Sequence, residues 1–176
     1  MNSVRIISGI HGGRLIGVPR NRGITHPMGD RERNAIFNAL QYDLEGTTVL
    51  DAFAGSGAIG LEALSRGASH VIFLENDKKA LRTITENIAK LDAVEQTAIA
   101  KNVSSINGKF DIVIADPPYS QSQYALVVKL LKHLKSDGIF VLSHPKTMPP
   151  PTFKTLTLLS DKTYAAANIK IYKNFQ

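Results

Sequence analysis

The 176-residue sequence predicts an α/β fold built on a mostly parallel, Rossmann-like sheet with helices on both faces. Three observations carry this. From residue 47 to residue 143, short β-branched runs alternate with longer segments of helical period, as in sheets whose strands are joined by crossover helices. A glycine-rich turn, "DAFAGSGAIG", follows the first of those strands. The ends of successive strands carry Asp51, Glu75, Asn102 and Asp116, at the edge where such sheets bind their ligands.

The elements follow in order. "SVRIISG" and "GRLIGV", joined by "IHGG", read as a hairpin. "GDRERNAIFNALQ" places Ile36, Phe37 and Leu40 on one helical face, with Gly29-Asp30 at its start. "TTVLD" is a strand, and "AIGLEALSRG" a helix that Gly67 ends. "HVIFLE" is a strand, and Asp77 caps the helix "KKALRTITENIAKL". "QTAIAK" is a weaker strand and "FDIVIA" a strong one. A helix around "QYALVVKLLKHLK" and a strand "GIFVLS" come next. The Pro-rich "HPKTMPPPTF" is expected as a surface loop, before two last strand-like runs, "FKTLTLLS" and "NIKIYK". Residues 1–40 thus form a hairpin-and-helix extension and 41–176 the main domain, effectively one compact unit.

Composition bounds the chemistry. The chain has no cysteine, which excludes disulfides and thiolate catalysis. No apolar run approaches the roughly 20 residues of a membrane span, and the N-terminus has no signal-peptide pattern, so a cytoplasmic protein is expected. The five histidines lack metal-ligand spacing, and no metal site is expected. Charge is segregated: residues 1–33 carry a net +4, residues 34–128 a net −4 and residues 129–176 a net +6. Basic ends around an acidic middle suit a polyanion that docks away from the acidic centre.

The turn contains Gly55-x-Gly57-x-x-Gly60, with Glu75 placed to accept from a ribose hydroxyl pair. Two details oppose a dinucleotide. Ala52, Phe53 and Ala54 separate the strand from the glycines, and the strand ends on Asp51, near where a pyrophosphate would meet a helix N-terminus. Like charges there would cost on the order of several kcal/mol. S-adenosylmethionine, with its ammonium and sulfonium and no phosphate, removes the conflict. Asp51 attracts the cationic end, the turn's amides meet the carboxylate, Glu75 holds the ribose and Asn102 the adenine edge.

"DIVIADPPYS" then acquires a purpose. An exocyclic amine on a nucleobase is a poor nucleophile because its lone pair is delocalised into the ring. Hydrogen bonds to the Asp116 carboxylate and the Pro117 carbonyl localise that pair, and a fixed carboxylate stabilises the positive charge that grows on nitrogen. Pro117 and Pro118 stiffen the turn, and Tyr119 gives an extruded base a face to stack on.

"DAFAGSGAIGLEALSRGA", "FLEND" and "IADPPY" resemble the class I S-adenosylmethionine-dependent amino-methyltransferases. "RIISGIHGGRLIGVP" and "THPMGDRERNAIFNAL" resemble the RsmD family, the 16S rRNA guanine-N2 methyltransferases. The resemblance runs from about residue 4 to residue 143. It implies a class I methyltransferase fold, a seven-stranded sheet with its last strand antiparallel, and a guanine of small-subunit rRNA as substrate. The partner would be 16S rRNA or the assembled small subunit, and the protein a monomer. Asp51, Phe53, Ala54, Gly55, Gly57, Glu75, Asn76 and Asn102 match cofactor-binding positions, and Asp116, Pro117, Pro118 and Tyr119 the catalytic motif. The chain departs from the family pattern at His26-Pro27-Met28, at Arg33-Asn34 and at Ser143, where many relatives carry Glu.

Arg5, Arg14, Arg20 and Arg22 on the hairpin and its exit, with Arg33 at the start of the next helix, are expected to face rRNA phosphates. Three rivals stay open: a DNA adenine-N6 methyltransferase using the same DPPY, an NAD-dependent oxidoreductase reading the glycine motif alone, and a non-catalytic RNA-binding relative.

Overall fold

The structure is a computed structural model, and it describes residues 3–19, 28–40, 43–118, 121–165 and 167–176. Arg20, Arg22 and Tyr119 therefore lie outside the described residues. The elements are β1 (Ser3–Arg5), β2 (Leu15–Gly17), α1 (Asp30–Ala39), β3 (Thr48–Ala52), α2 (Ala58–Ser65), β4 (His70–Leu74), α3 (Lys78–Lys90), β5 (Thr97–Ala100), β6 (Phe110–Ala115), α4 (Gln121–Leu130), β7 (Leu134–His144), β8 (Leu156–Thr163) and β9 (Asn168–Asn174). Seven strands form one sheet in the order β5-β4-β3-β6-β7-β9-β8. β3 to β7 are mutually parallel, and β9 runs antiparallel to both neighbours. The expected mostly parallel sheet with its last strand antiparallel is what forms.

The central strands read as near-continuous apolar runs because both faces are covered. On one face Val49, Ile112, Ile114 and Val141 pack under α1, α2 and α3 through Phe37, Leu61 and Ile84. On the other, Leu50, Val113, Phe140 and Leu142 pack under Val127 and Leu130 of α4.

Two boundaries differ from the sequence-based reading. The helix expected to run through Lys135 ends at Leu130, and β7 begins at Leu134 after a short 3-10 turn. His133 Nδ1 bonds the Gly108 carbonyl at 3.0 Å, and buried Leu134 pairs with Phe110, so tertiary pairing overrides a good helical pattern. β8 starts at Leu156 rather than Phe153. The Phe153 ring is drawn inward against Phe140 and Tyr172, at 5.4 and 5.2 Å between centroids. The Pro-rich segment is accordingly anchored at both ends, by buried Pro145 and buried Phe153.

β1 and β2 form a separate hairpin, docked on the ends of α2 and α3. The Glu62 carboxylate, fully buried in α2, accepts from the backbone N–H groups of Ile7 (2.7 Å) and Ser8 (3.1 Å) and from Arg66 Nε (2.7 Å). Ile10 N–H donates to the Ser65 carbonyl at 2.8 Å, satisfying an orphan acceptor at the helix end. Gly9 lies so close that a Cβ there would sit 1.6 Å from the Ser65 oxygen. Arg33 belongs to the same network, which corrects its expected RNA-facing role. It is 1% exposed, donates to the Arg5 carbonyl (2.6 Å) and Asp30 (2.9 Å), and sits 3.8 Å from Glu62. Its charge is consumed in fastening α1 and the hairpin to α2.

Glu62→Ala removes the shared acceptor of this network and strands a buried guanidinium. An expected loss of about 3–5 kcal/mol would be read as a fall in the urea midpoint. Stability within 1 kcal/mol of the parent would show that the network is not what holds the hairpin.

Candidate active site

Asp51 is wholly buried near the C-terminal end of the central strand. Its Oδ2 accepts the N–H of Gly60 at 2.8 Å, and its Oδ1 has no hydrogen-bond partner. Gly60 is small because α2 lies hard against β4; a Cβ there would meet Phe73 Cε1 at 2.3 Å and Val71 Cγ1 at 2.7 Å. The third glycine of the motif thus brings an amide to a carboxylate instead of to a phosphate. Burial pushes the Asp51 carboxyl up to about 8, with the Gly60 bond opposing and Asp116 and Glu75 adding to the rise. An unpaired buried carboxylate oxygen is suited to a cationic ligand.

The loop above it is held in an unusual conformation. Phe53 adopts φ 65°, in the left-handed region that non-glycine residues rarely occupy, and Gly55 and Gly57 follow at 58° and 79°. The Phe53 and Ala54 amides both donate to the Leu74 carbonyl at 3.1 Å, which fixes the turn to β4. A Cβ built on Gly55 meets only the Phe53 carbonyl, at 4.0 Å, so that side of the loop is open to a close-lying ligand.

Glu75, at the end of β4, accepts from Gly55 N–H (2.9 Å), Asn76 N–H (2.8 Å) and Asp77 N–H (2.9 Å). It braces the glycine loop against the turn that starts α3, and Asn76 enters through its backbone. Asn102 is also engaged. Its Oδ1 caps a 3-10 turn by accepting from Ser105 N–H (2.9 Å) and Ser104 Oγ (2.6 Å). Its amide nitrogen is the half of the side chain left for an adenine edge.

Asp51 pairs with Ile114 across β3 and β6, so Asp116, two residues on, stands on the same face. Burial pushes the Asp116 carboxyl up to about 6, and the Ser143 hydroxyl opposes that rise. Ser143, the penultimate residue of the neighbouring strand, is buried, yet its Oγ makes no hydrogen bond of full geometry. The hydroxyl faces the carboxylate without being committed to it. Pro117 is buried and Pro118 exposed.

The structure brings Asp51, Glu75 and Asp116 to one end of the sheet and Arg5 and Arg14 of the hairpin toward the other. Arg14 donates to the carbonyl of Lys90, the last residue of α3, and Arg5 to the Gly13 carbonyl. α2 and α3 both start at the catalytic end, so their last residues mark the opposite one. Asn87 escaped sequence reasoning. Buried on α3, it accepts from Gly17 N–H (2.8 Å) and donates to the carbonyls of Gly17 (3.0 Å) and Ser56 (2.8 Å), joining hairpin to glycine loop. An amide in the apolar stripe of Ile84 and Ile88 was the available signal. Among the described residues, no group of three or more His, Asp or Glu could hold a metal ion, and no helix is long and apolar enough to cross a membrane.

The folded state holds the Asp51 proton more tightly than the unfolded chain does. The stability this gives is present at low pH and is lost as pH rises toward about 8. Asp51→Asn is therefore expected to raise the melting temperature of the ligand-free protein at pH 8.5, progressively less as pH falls, and to change it little at pH 3.5, below the ordinary aspartate range. The same variant should bind S-adenosylmethionine at least ~10-fold more weakly by calorimetry, the scale of one lost charge-assisted contact. Unchanged affinity would remove Asp51 from the ligand site.

The family model described as "Conserved hypothetical protein 95" matches residues 4–173. Ribosomal RNA small subunit methyltransferase D of Haemophilus influenzae is 34% identical over 182 residues, covering 97% of this chain and 94% of that protein. The Escherichia coli K12 protein of the same name is 35% identical over 133 residues, covering 73% of this chain and 67% of its own. A solved Escherichia coli structure, of a protein named for methyltransferase activity, superposes with a TM-score of 0.87 at 27% identity, covering 99% of this chain and all of the other. With acids at three adjoining strand ends, Asp51 among them wholly buried, and this kinship along nearly its whole length, the chain belongs to the RsmD family of ribosomal RNA small subunit methyltransferases.

Proposed function

We propose that the protein methylates the exocyclic N2 amine of a guanine in 16S rRNA of the small ribosomal subunit, with S-adenosylmethionine as donor. The observation that carries this reading is the pair of carboxylates, wholly buried Asp51 and half-buried Asp116, on one face of adjacent strands, with an Asp51 oxygen that has no hydrogen-bond partner. When bound, S-adenosylmethionine supplies an electrophilic methyl on a sulfonium.

The chain's own groups do the rest. Asp51 attracts the cationic methionyl end, and Glu75 keeps the loop amides turned toward the ligand while it accepts from the ribose. Asp116 accepts one N–H of the target amine and the Pro117 carbonyl the other, drawing the nitrogen out of conjugation with the ring. As the N–C bond forms and the C–S bond breaks, the positive charge passes to nitrogen beside a carboxylate already in place. The nitrogen then sheds a proton, leaving a neutral methylated amine. Tyr119 is assigned to stack on the base, and Asn102 to meet the adenine through its amide. The conflict with an NAD-type ligand also has a structural basis, since Asp51 already holds an amide at the start of α2.

Asp116→Ala is expected to cut turnover by about 100-fold or more while S-adenosylmethionine affinity holds, the scale of losing one preorganised electrostatic group. Labelled methyl transfer to small subunits and naked rRNA, digested to nucleosides, would yield N2-methylguanosine. N6-methyladenosine, or label in DNA alone, would overturn the substrate. Activity should fall as pH drops through about 6 and Asp116 takes up its proton. Ser143→Ala should move that acid limb to higher pH, because the hydroxyl opposes the rise.

A further inference from the structure

The C-terminal part of the chain carries eight lysines against Asp137 and Asp161, and the topology sorts them to two ends of the sheet. Lys129, Lys132 and Lys135 precede or open β7, Lys154 precedes β8, and Lys173 pairs with Ile139 and Thr157. Those five lie at the end away from Asp116. Lys146, Lys162 and Lys170 lie at the other.

Register places Lys162 with some precision. Ala115 pairs with Leu142, so Asp116 and Ser143 are the next positions along β6 and β7. Ser143 pairs with Ile169, and Ile169 with Lys162. Cross-strand partners share a face, so Asp116, Ser143, Ile169 and Lys162 form one lateral row on the face that also carries Asp51. Three strand spacings separate its ends, about 14 Å. Lys162 is exposed and makes no ion pair among the described residues. Its neighbour Asp161 is already paired with Lys170.

Lys146 adds a second charge. It follows His144 and Pro145 at the end of β7, and the His144 ring holds that turn through the carbonyls of Pro145 (3.0 Å) and Met148 (3.3 Å). Lys146 is exposed on it and likewise unpaired among the described residues. Arg5 and Arg14 of the hairpin, by contrast, sit toward the far end and are bonded to carbonyls. We infer that Lys162 and Lys146 form the phosphate-holding rim of the catalytic end, gripping the RNA backbone beside the nucleotide whose base reaches Asp116.

This rests on the rRNA reading above, and the test separates the two. Affinity for a small-subunit rRNA fragment would be measured at several salt concentrations for the parent, Lys162→Gln, Lys146→Gln and the double variant. Lys132→Gln with Lys173→Gln at the opposite end serves as the reference, and S-adenosylmethionine affinity reports that each variant is folded. Each rim substitution should lower the salt slope by about 1 and weaken binding several-fold at low salt. The opposite-end pair should change neither. Equal losses at both ends, or an unchanged slope in the double variant, would overturn the rim while leaving rRNA methylation by the parent intact. A parent that neither binds nor labels rRNA would sink the substrate reading and the rim with it.

Discussion

The site depends on a carboxylate buried near the C-terminal end of the central strand with one oxygen bonded and the other bare. Asp51 cannot ionise cheaply in that position without a counter-charge, since neighbouring acids at Glu75 and Asp116 add to the cost of burial. The fold supplies a single amide, from Gly60, and obtains it by packing α2 so tightly on β4 that only glycine fits. The remaining oxygen suits a cation, which is why the proposed donor fits this strand end. Glycine motifs of similar spacing serve phosphates on other sheets; here the acid at the strand end reverses the preference.

A second constraint is that the N-terminal hairpin has no core of its own. Its three-residue strands are held on the main domain by Ile6 and Ile16, fully buried in the core under the helices, and by polar contacts through Glu62, Ser65 and Asn87. Asn87 makes this more than attachment, because the same amide reaches Ser56 in the glycine loop. Displacement of the hairpin would therefore be felt where the ligand's carboxylate is expected to lie.

Much of this was legible in the residues. Short apolar, β-branched runs between helical ones located every strand of the sheet, and the acids at strand ends were visible because a strand's last residue is set by where the apolar run stops. What escaped required partners distant in the chain. Arg33 read as one more cation until Glu62, in another helix, was seen to occupy it. The stretch from Leu131 to Lys135 has a helical pattern that loses to pairing with β6, and Phe153 left its strand for an aromatic cluster. In each case local preference was sound and a tertiary contact outweighed it.

The strand order has a bearing on how the protein is made. β8 pairs only with β9, and β9 also covers the edge of β7. On a chain growing from its N-terminus, β8 emerges before the strand that must slip between it and β7. Until then β7 presents an open edge of apolar residues and β8, with Leu158 and Leu159 exposed, has no partner at all. The nascent protein thus passes through an interval with the left of its sheet complete and the right unzipped, when stray strand pairing is the chief hazard.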